Sequence, residues 1–166
     1  MSRDALKIEI RNDLRPGDLG AIVQLHGECY GAEHGFDHTF EPYVAVPLSE
    51  FVLRADGRER IWIVTRDGRV GGSVAIVAAS EREAQLRWLL LAPPLRGRGL
   101  GRRLVGEALV FCRRSGYESV FLWTLAHLDK ALAVYRSFGF QVCQCQTHRV
   151  WGQMLTEERH VLDLKT

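Results

Sequence analysis

The chain has 166 residues, which is enough for one hydrophobic core of ordinary size and too few for two ordinary domains. Hydrophobic residues make up 46% and charged residues 25%, a composition typical of a globular protein, and a formal net charge of +2 is too small to favour nucleic acid as a partner. The sequence therefore predicts one domain over residues 1–166 that binds no nucleic acid.

Charged residues among the first seven positions stand where a signal peptide would carry its apolar segment, and no apolar run has the length of a membrane span. We expect a cytoplasmic protein with no membrane contact, in which all four cysteines are reduced. The spacing of Cys143, Cys145 and His148 matches no common zinc site, and a fourth ligand is not evident. No metal is predicted.

In the first half of the chain, hydrophobic periodicity predicts three strands and two helical regions. They are, in chain order, a strand at 7–11, a helix with a buried stripe from Leu19 to Tyr30, a helical region from Phe40 to Ala55, and strands at 61–65 and 70–79. Gly31 to Thr39 is expected to form a loop, and Pro47 to interrupt the second helical region. Asp67-Gly68 predicts a hairpin between the last two strands.

The second half alternates strands and helices. The predicted elements are a strand at 86–91, an arginine-rich helix, a strand at 119–124, a helix at 128–138 and strands at 140–147 and 160–164. The run at 86–91 is too continuously apolar for a half-exposed strand, so we expect it at the centre of the sheet. The pattern as a whole indicates a mixed α/β layer.

The most informative segment runs from Leu89 to Leu104, where an apolar strand passes through a glycine- and arginine-rich turn into an amphipathic helix. The first turn of a helix offers unpaired N–H groups and the positive end of the helix dipole, which together favour an anion. Glycines at 97, 99 and 101 would let the main chain approach a pyrophosphate, and arginines at 96, 98, 102 and 103 add positive charge. The segment predicts a site for a phosphorylated cofactor, the alternative being an ordinary turn beside a solvated helix face.

Two familiar phosphate-binding patterns do not fit this turn. A P-loop requires lysine and then serine or threonine after its last glycine, whereas Arg102 and Arg103 follow Gly101. The dinucleotide fingerprint started at Gly97 requires a third glycine at the position of Arg102. Nucleotide hydrolysis and Rossmann-type binding are therefore disfavoured.

The segment resembles the signature of GNAT-superfamily N-acetyltransferases, Arg/Gln-Xaa2-Gly-Xaa-Gly/Ala, at Arg96, Gly99 and Gly101. A second block, from Ala131 to Phe140, resembles the family's helix that ends in Tyr-Xaa3-Gly-Phe. The resemblance extends over nearly the whole chain. The segment at 33–41 is also similar to GNAT domains found fused to MarR-type regulators.

The resemblance implies an α/β GNAT fold, a mixed and mostly antiparallel twisted sheet of six to seven strands flanked by about four helices. Its fourth and fifth strands, here 86–91 and 119–124, would splay apart to admit the cofactor. It further implies transfer of an acetyl group from acetyl-CoA (coenzyme A) to a primary amine of a small molecule or of a peptide or protein, by direct attack in a ternary complex. Tyr135 would be the catalytic acid that protonates the leaving thiolate.

The same resemblance gives the residues expected at the cofactor. They are Leu89, Leu90, Leu91, Arg96, Gly97, Arg98, Gly99, Leu100, Gly101, Arg102 and Tyr135. Main-chain N–H groups from Leu89 to Leu91 would stabilise charge on the thioester oxygen, and the segment from Arg96 to Gly101 would hold the pyrophosphate.

Two features depart from the family pattern. The fourth strand carries Gln85, Arg87 and Trp88 where many members have a glutamate base, and the segment 124–128 has no asparagine. The general base therefore stays open among several residues, which are Glu28, Glu33, His34, Asp37, His38, His127 and His148. A non-catalytic acyl-CoA sensor or a coenzyme A-binding interaction module is the rival function, and a homodimer is left open.

Overall fold

A computed structural model describes residues 6–54 and 56–165. Its elements in chain order are β1 (Ile8–Arg11), α1 (Asp18–His34), α2 (Phe40–Leu53), β2 (Arg60–Arg66), β3 (Arg69–Ala78), β4 (Glu83–Leu91), a short 3-10 helix (Pro93–Leu95), α3 (Leu100–Arg114), β5 (Ser119–Leu125), α4 (Asp129–Ser137), β6 (Gln141–Val150) and β7 (Gln153–Asp163). Ala55, the expected end of the second helical region, lies outside the described residues.

The seven strands form one sheet in the order β1-β2-β3-β4-β5-β7-β6. Neighbouring strands are antiparallel except β4 and β5, which are parallel. The expected mixed, mostly antiparallel α/β sheet is confirmed, and β4 lies at its centre as predicted. The predicted hairpin is also confirmed, with Asp67 and Gly68 at φ 50° and 79° between β2 and β3.

The parallel pair separates soon after it begins. Register between β4 and β5 extends only over 83–85 opposite 119–121, although β4 continues to Leu91 and β5 to Leu125. Further along, β4 contains a bulge, in which Trp88 (φ 52°) and Leu89 stand opposite the single residue Val74 of β3. The bulge bends β4 beyond the last residue that pairs with β5. The predicted splay is therefore present, and it leaves a gap lined by main chain.

Two hydrophobic layers sandwich the sheet. One contains Leu104 and Leu109 of α3 together with Leu122 of β5, and the other contains Ile22 of α1 and Leu48 of α2, each at most 1% exposed. Burial of these side chains fixes α3 and α4 on one face and α1 and α2 on the opposite face. Within the described part of the chain, no helix is long and apolar enough to span a membrane.

Two predictions about the helices were wrong. Pro47 lies inside an uninterrupted α2, because the lost amide hydrogen bond is offset by burial of Val44, Leu48 and Phe51 on one side of the helix. The predicted loop at 31–39 begins only at Gly35, since α1 continues to His34 and ends in the left-handed conformation of that glycine (φ 69°).

The two C-terminal strands are longer than predicted. They form a hairpin whose turn contains Trp151 and Gly152 at φ 50° and 82°. A tryptophan rarely adopts a positive φ, so Trp151-Gly152 is not a recognisable turn signal.

Candidate active site

A cleft of about 680 Å³ opens where β4 and β5 separate. Its walls come from α1, α2, β4, the turn before α3, β5, α4 and the β6–β7 turn. A concave site at a gap between strands exposes main-chain N–H groups that a continuous sheet would have paired.

The glycine-rich turn forms one end of this cleft. Gly97 and Gly99 have φ of 72° and 76°, and Gly99 is the N-terminal cap of α3. Within residues 6–54 and 56–165, none of the amides from Gly97 to Arg102 donates a hydrogen bond to another main-chain group. A methyl group built on Gly97 or Gly99 would meet no atom within 4 Å, so the space beside both residues is open. Free amides at a helix N-terminus beside open space fit a phosphate group.

Arg96 stands beside this turn, but its guanidinium is already paired. It donates to both carboxylate oxygens of Glu33 at 2.8 and 2.7 Å, and its Nε donates to the carbonyl of Leu91 at 2.8 Å. This contact ties the last turn of α1 to the end of β4. The sequence did not indicate the partner, because Glu33 and Arg96 are 63 positions apart.

The other arginines surround the same turn more loosely. Arg102 reaches Ser137 Oγ at 3.2 Å and lies over the Phe138 ring, while Arg98 makes a single 3.4 Å contact with the carbonyl of Pro94. Both side chains are exposed enough to reorient toward an anion.

Tyr135 of α4 lines the middle of the cleft. It is 6% exposed, and its ring packs against Phe140 and His160 at centroid distances of 5.9 and 6.3 Å. Burial raises the pKa of its phenol well above the usual value, and the nearby Tyr30 adds to the effect. The phenol therefore stays protonated at neutral pH and can act as a hydrogen-bond donor.

Two histidines meet in the same cleft. His34, at the end of α1, and His127, in the β5–α4 loop, approach to 3.3 Å between Nδ1 and Nε2. Burial lowers the pKa of His34 below 6.5, and the charge of a protonated His127 lowers it further, whereas Glu33 opposes the shift. At least one imidazole is therefore neutral at pH 7 and able to accept a proton.

The remaining base candidates have other partners or lie away from the cleft. Glu33 pairs with Arg96, Asp37 accepts hydrogen bonds from Thr39, and His148 pairs with Glu157. Glu28 accepts a hydrogen bond from Gln24, and His38 lies outside the described lining of the cleft. The structure brings His34 and His127 together, and Glu33, which also lines the cleft, is held by Arg96.

One end of the cleft is aromatic. Phe36, Phe40 and Tyr43 surround Trp151 at centroid distances of 5.0, 4.9 and 4.8 Å. Arg87 of β4 and Glu157 of β7 line the same region. No sequence pattern indicates that these residues form a site, because only the tertiary fold brings α2, β4 and the β6–β7 turn together.

Comparison with known proteins identifies the class to which this fold and cleft belong. A family model described as Acetyltransferase (GNAT) family matches residues 19–140. The uncharacterized N-acetyltransferase C1271.07c of Schizosaccharomyces pombe is 32% identical over 136 residues, which cover 80% of this chain and 82% of the relative. The chain belongs to the GNAT family of acetyltransferases.

Other relatives match over a shorter region. The uncharacterized N-acetyltransferase YjgM of Escherichia coli is 34% identical over 83 residues, covering 48% of this chain and 50% of the relative. N-acetyltransferase family 8 member 3 of Rattus norvegicus is 33% identical over 85 residues, covering 48% of this chain and 37% of the relative. The match thus spans half or less of these two proteins.

Solved structures share the architecture. A putative phosphinothricin N-acetyltransferase superposes with a TM-score of 0.78 at 16% identity, covering 96% of this chain and 100% of that one. The putative acetyltransferase yncA of Salmonella typhimurium, solved with acetyl-CoA, gives a TM-score of 0.73 at 16% identity over 95% and 94% of the two chains. At this identity the likeness shows the GNAT fold.

Proposed function

We propose that this protein transfers an acetyl group from acetyl-CoA to a primary amine, by direct attack while both substrates are bound. The observation that carries the proposal is the cleft between the splayed strands, which has free amides at one end and proton donors and acceptors at its centre. Acetyl-CoA supplies a thioester whose carbonyl carbon is open to attack. The yncA structure, with acetyl-CoA and the same fold, supports this substrate.

Residues of the glycine turn would bind the diphosphate of that substrate. In the described chain the amides from Gly97 to Arg102 donate no hydrogen bond to another main-chain group, and Arg98 and Arg102 can turn toward the phosphates. The ion pair between Arg96 and Glu33 would keep the turn in register with α1. Both side chains are more than a third exposed, so we expect this pair to add well under ~1 kcal/mol to stability.

Main chain from Leu89 to Leu91 would stabilise charge on the thioester oxygen, since β4 loses its β5 partner after Gln85. Tyr135 would donate its proton toward the leaving sulfur, a role that suits a phenol kept neutral by burial. The pair of His34 and His127 would accept the proton of the amine. Each task then belongs to a different element of the cleft.

The activity is tested with acetyl-CoA and a panel of amines, amino acids, polyamines and peptides, by following release of free thiol. Calorimetry of acetyl-CoA binding accompanies it. Binding together with amine-dependent thiol release is expected. Tight binding without turnover on any acceptor would instead favour a non-catalytic acyl-CoA sensor.

The histidine pair is tested by replacing both residues, in His34→Gln/His127→Gln, and recording kcat/KM against pH. In the wild type, the fall of kcat/KM at low pH should report protonation of an imidazole, since the pKa of His34 lies below 6.5. Besides His127, the charged or titratable neighbours of His34 are Glu33, Arg96 and Tyr30. In the double variant, the midpoint of this fall should move to higher pH, toward the pKa of the acceptor amine, because only the free amine can then react. An unchanged pH profile of kcat/KM would show that the two histidines take no part in the mechanism. His38→Gln, outside the cleft lining, is the control.

A further inference from the structure

We infer that the acceptor is a free amino acid with an apolar or aromatic side chain, and that Arg87 binds its carboxylate. This inference rests on the proposed transferase activity and assigns the acceptor class at the same site. It follows from the charges and walls at the aromatic end of the cleft.

In the described part of the chain, Arg87 forms no ion pair. Its guanidinium lies 5.0 Å from the centre of the Trp88 ring, and Tyr43 is near enough to act on it electrostatically. Glu50 acts on it electrostatically, yet within residues 6–54 and 56–165 no carboxylate lies within 4.0 Å of its nitrogens. Arg11 and Arg96, by contrast, each hold a carboxylate in two hydrogen bonds. A half-buried, desolvated guanidinium that faces a cleft is suited to an incoming carboxylate.

A carboxylate lies in the same region of the cleft. Glu157 is 9% exposed, contacts His148, and acts electrostatically on Tyr43, as Arg87 also does. It pairs with Leu125 at the end of β5, two residues before His127. An ammonium group drawn toward Glu157 would therefore lie beside the end of β5, in the cleft that His127 also lines. A cation and an anion in one pocket match a zwitterion.

The aromatic walls of this pocket indicate which side chain the acceptor carries. Tyr43 and Trp151 lie 4.8 Å apart between ring centres, and Phe36 and Phe40 pack behind them. These rings offer contact area to an apolar or aromatic side chain. A polyamine would place a second cation beside Arg87, and a peptide N-terminus has an amide where the carboxylate is needed, so both are disfavoured.

The test compares three matched acceptors, namely L-phenylalanine, L-phenylalaninamide and phenethylamine, with acetyl-CoA at saturation. The wild type should prefer the amino acid to the two analogues by about tenfold to a hundredfold in kcat/KM, the range expected for a charge-assisted contact. Arg87→Gln should remove this preference chiefly by raising KM for the amino acid. Its acetyl-CoA affinity, measured by calorimetry, should match the wild type.

Arg69→Gln serves as the control, because this exposed arginine at the start of β3 lies outside the described lining of the cleft. Equal use of acid and amide by the wild type, or a preference that survives Arg87→Gln, would overturn the inference while leaving the transferase intact. Retained acetyl-CoA binding with no turnover of any amine would overturn the proposed function, and this inference with it.

Discussion

Gly99→Ala separates the binding role of the glycine turn from its folding role. Gly99 caps α3 at φ 76°, and an added methyl group meets no atom within 4 Å. The fold should therefore lose only the cost of left-handed backbone for an L-residue, about 1–2 kcal/mol. The affinity for acetyl-CoA should fall as well. The methyl group or a shifted amide would disturb at least one charge-assisted contact to phosphate, which weakens acetyl-CoA about tenfold to a hundredfold.

Gly68→Ala is a matched control. Gly68 has φ 79°, an added methyl group there also meets nothing within 4 Å, and it lies in the β2–β3 turn outside the described cleft lining. Urea unfolding should give similar losses of stability for the two variants. Calorimetry with acetyl-CoA should show weakened binding for Gly99→Ala alone. Equal affinity in both variants, or an equal loss in both, would refute the assignment of the turn to phosphate binding.

Two further predictions concern catalysis and stability. Tyr135→Phe should retain acetyl-CoA affinity but lower kcat about a hundredfold, the lower range for a lost general acid; an unchanged kcat in the thiol-release assay would remove that role. Asp18→Asn should cost about 3 kcal/mol in urea unfolding at pH 7, since Asp18 is 5% exposed and holds Arg11 in two hydrogen bonds. Burial alone would raise the pKa of Asp18, but hydrogen bonds from Arg11 and from the Arg15 amide outweigh it and lower the pKa below 3.8. The stability difference should therefore shrink as the pH falls through and below that value, and a difference independent of pH would contradict this account.

The fold was largely predictable because its signals are local. The apolar run at 86–91 indicated the central strand, Asp67-Gly68 indicated a hairpin, and the glycine-rich turn indicated the start of α3. The last hairpin was underestimated mainly in β7, of which only 160–164 was predicted although it begins at Gln153. The buried side chains of β7 include the polar residues Glu157 and His160, so the strand lacks the apolar alternation that marks a half-buried strand.

The candidate site was predictable only in part. The main-chain features of the glycine turn follow from residues adjacent in sequence. The ion pair of Glu33 with Arg96, the contact of His34 with His127, and the position of Arg87 all depend on which elements pack together. No spacing pattern encodes these contacts, and the resemblance to a family offers no guide where this chain departs from it.

The amides of the glycine turn offer the most direct test of the account. In nitrogen–proton correlation spectra of the labelled protein titrated with coenzyme A, the largest shifts should fall on the amides from Gly97 to Arg102. Saturation with those amides unmoved, or the largest shifts elsewhere in the chain, would contradict it.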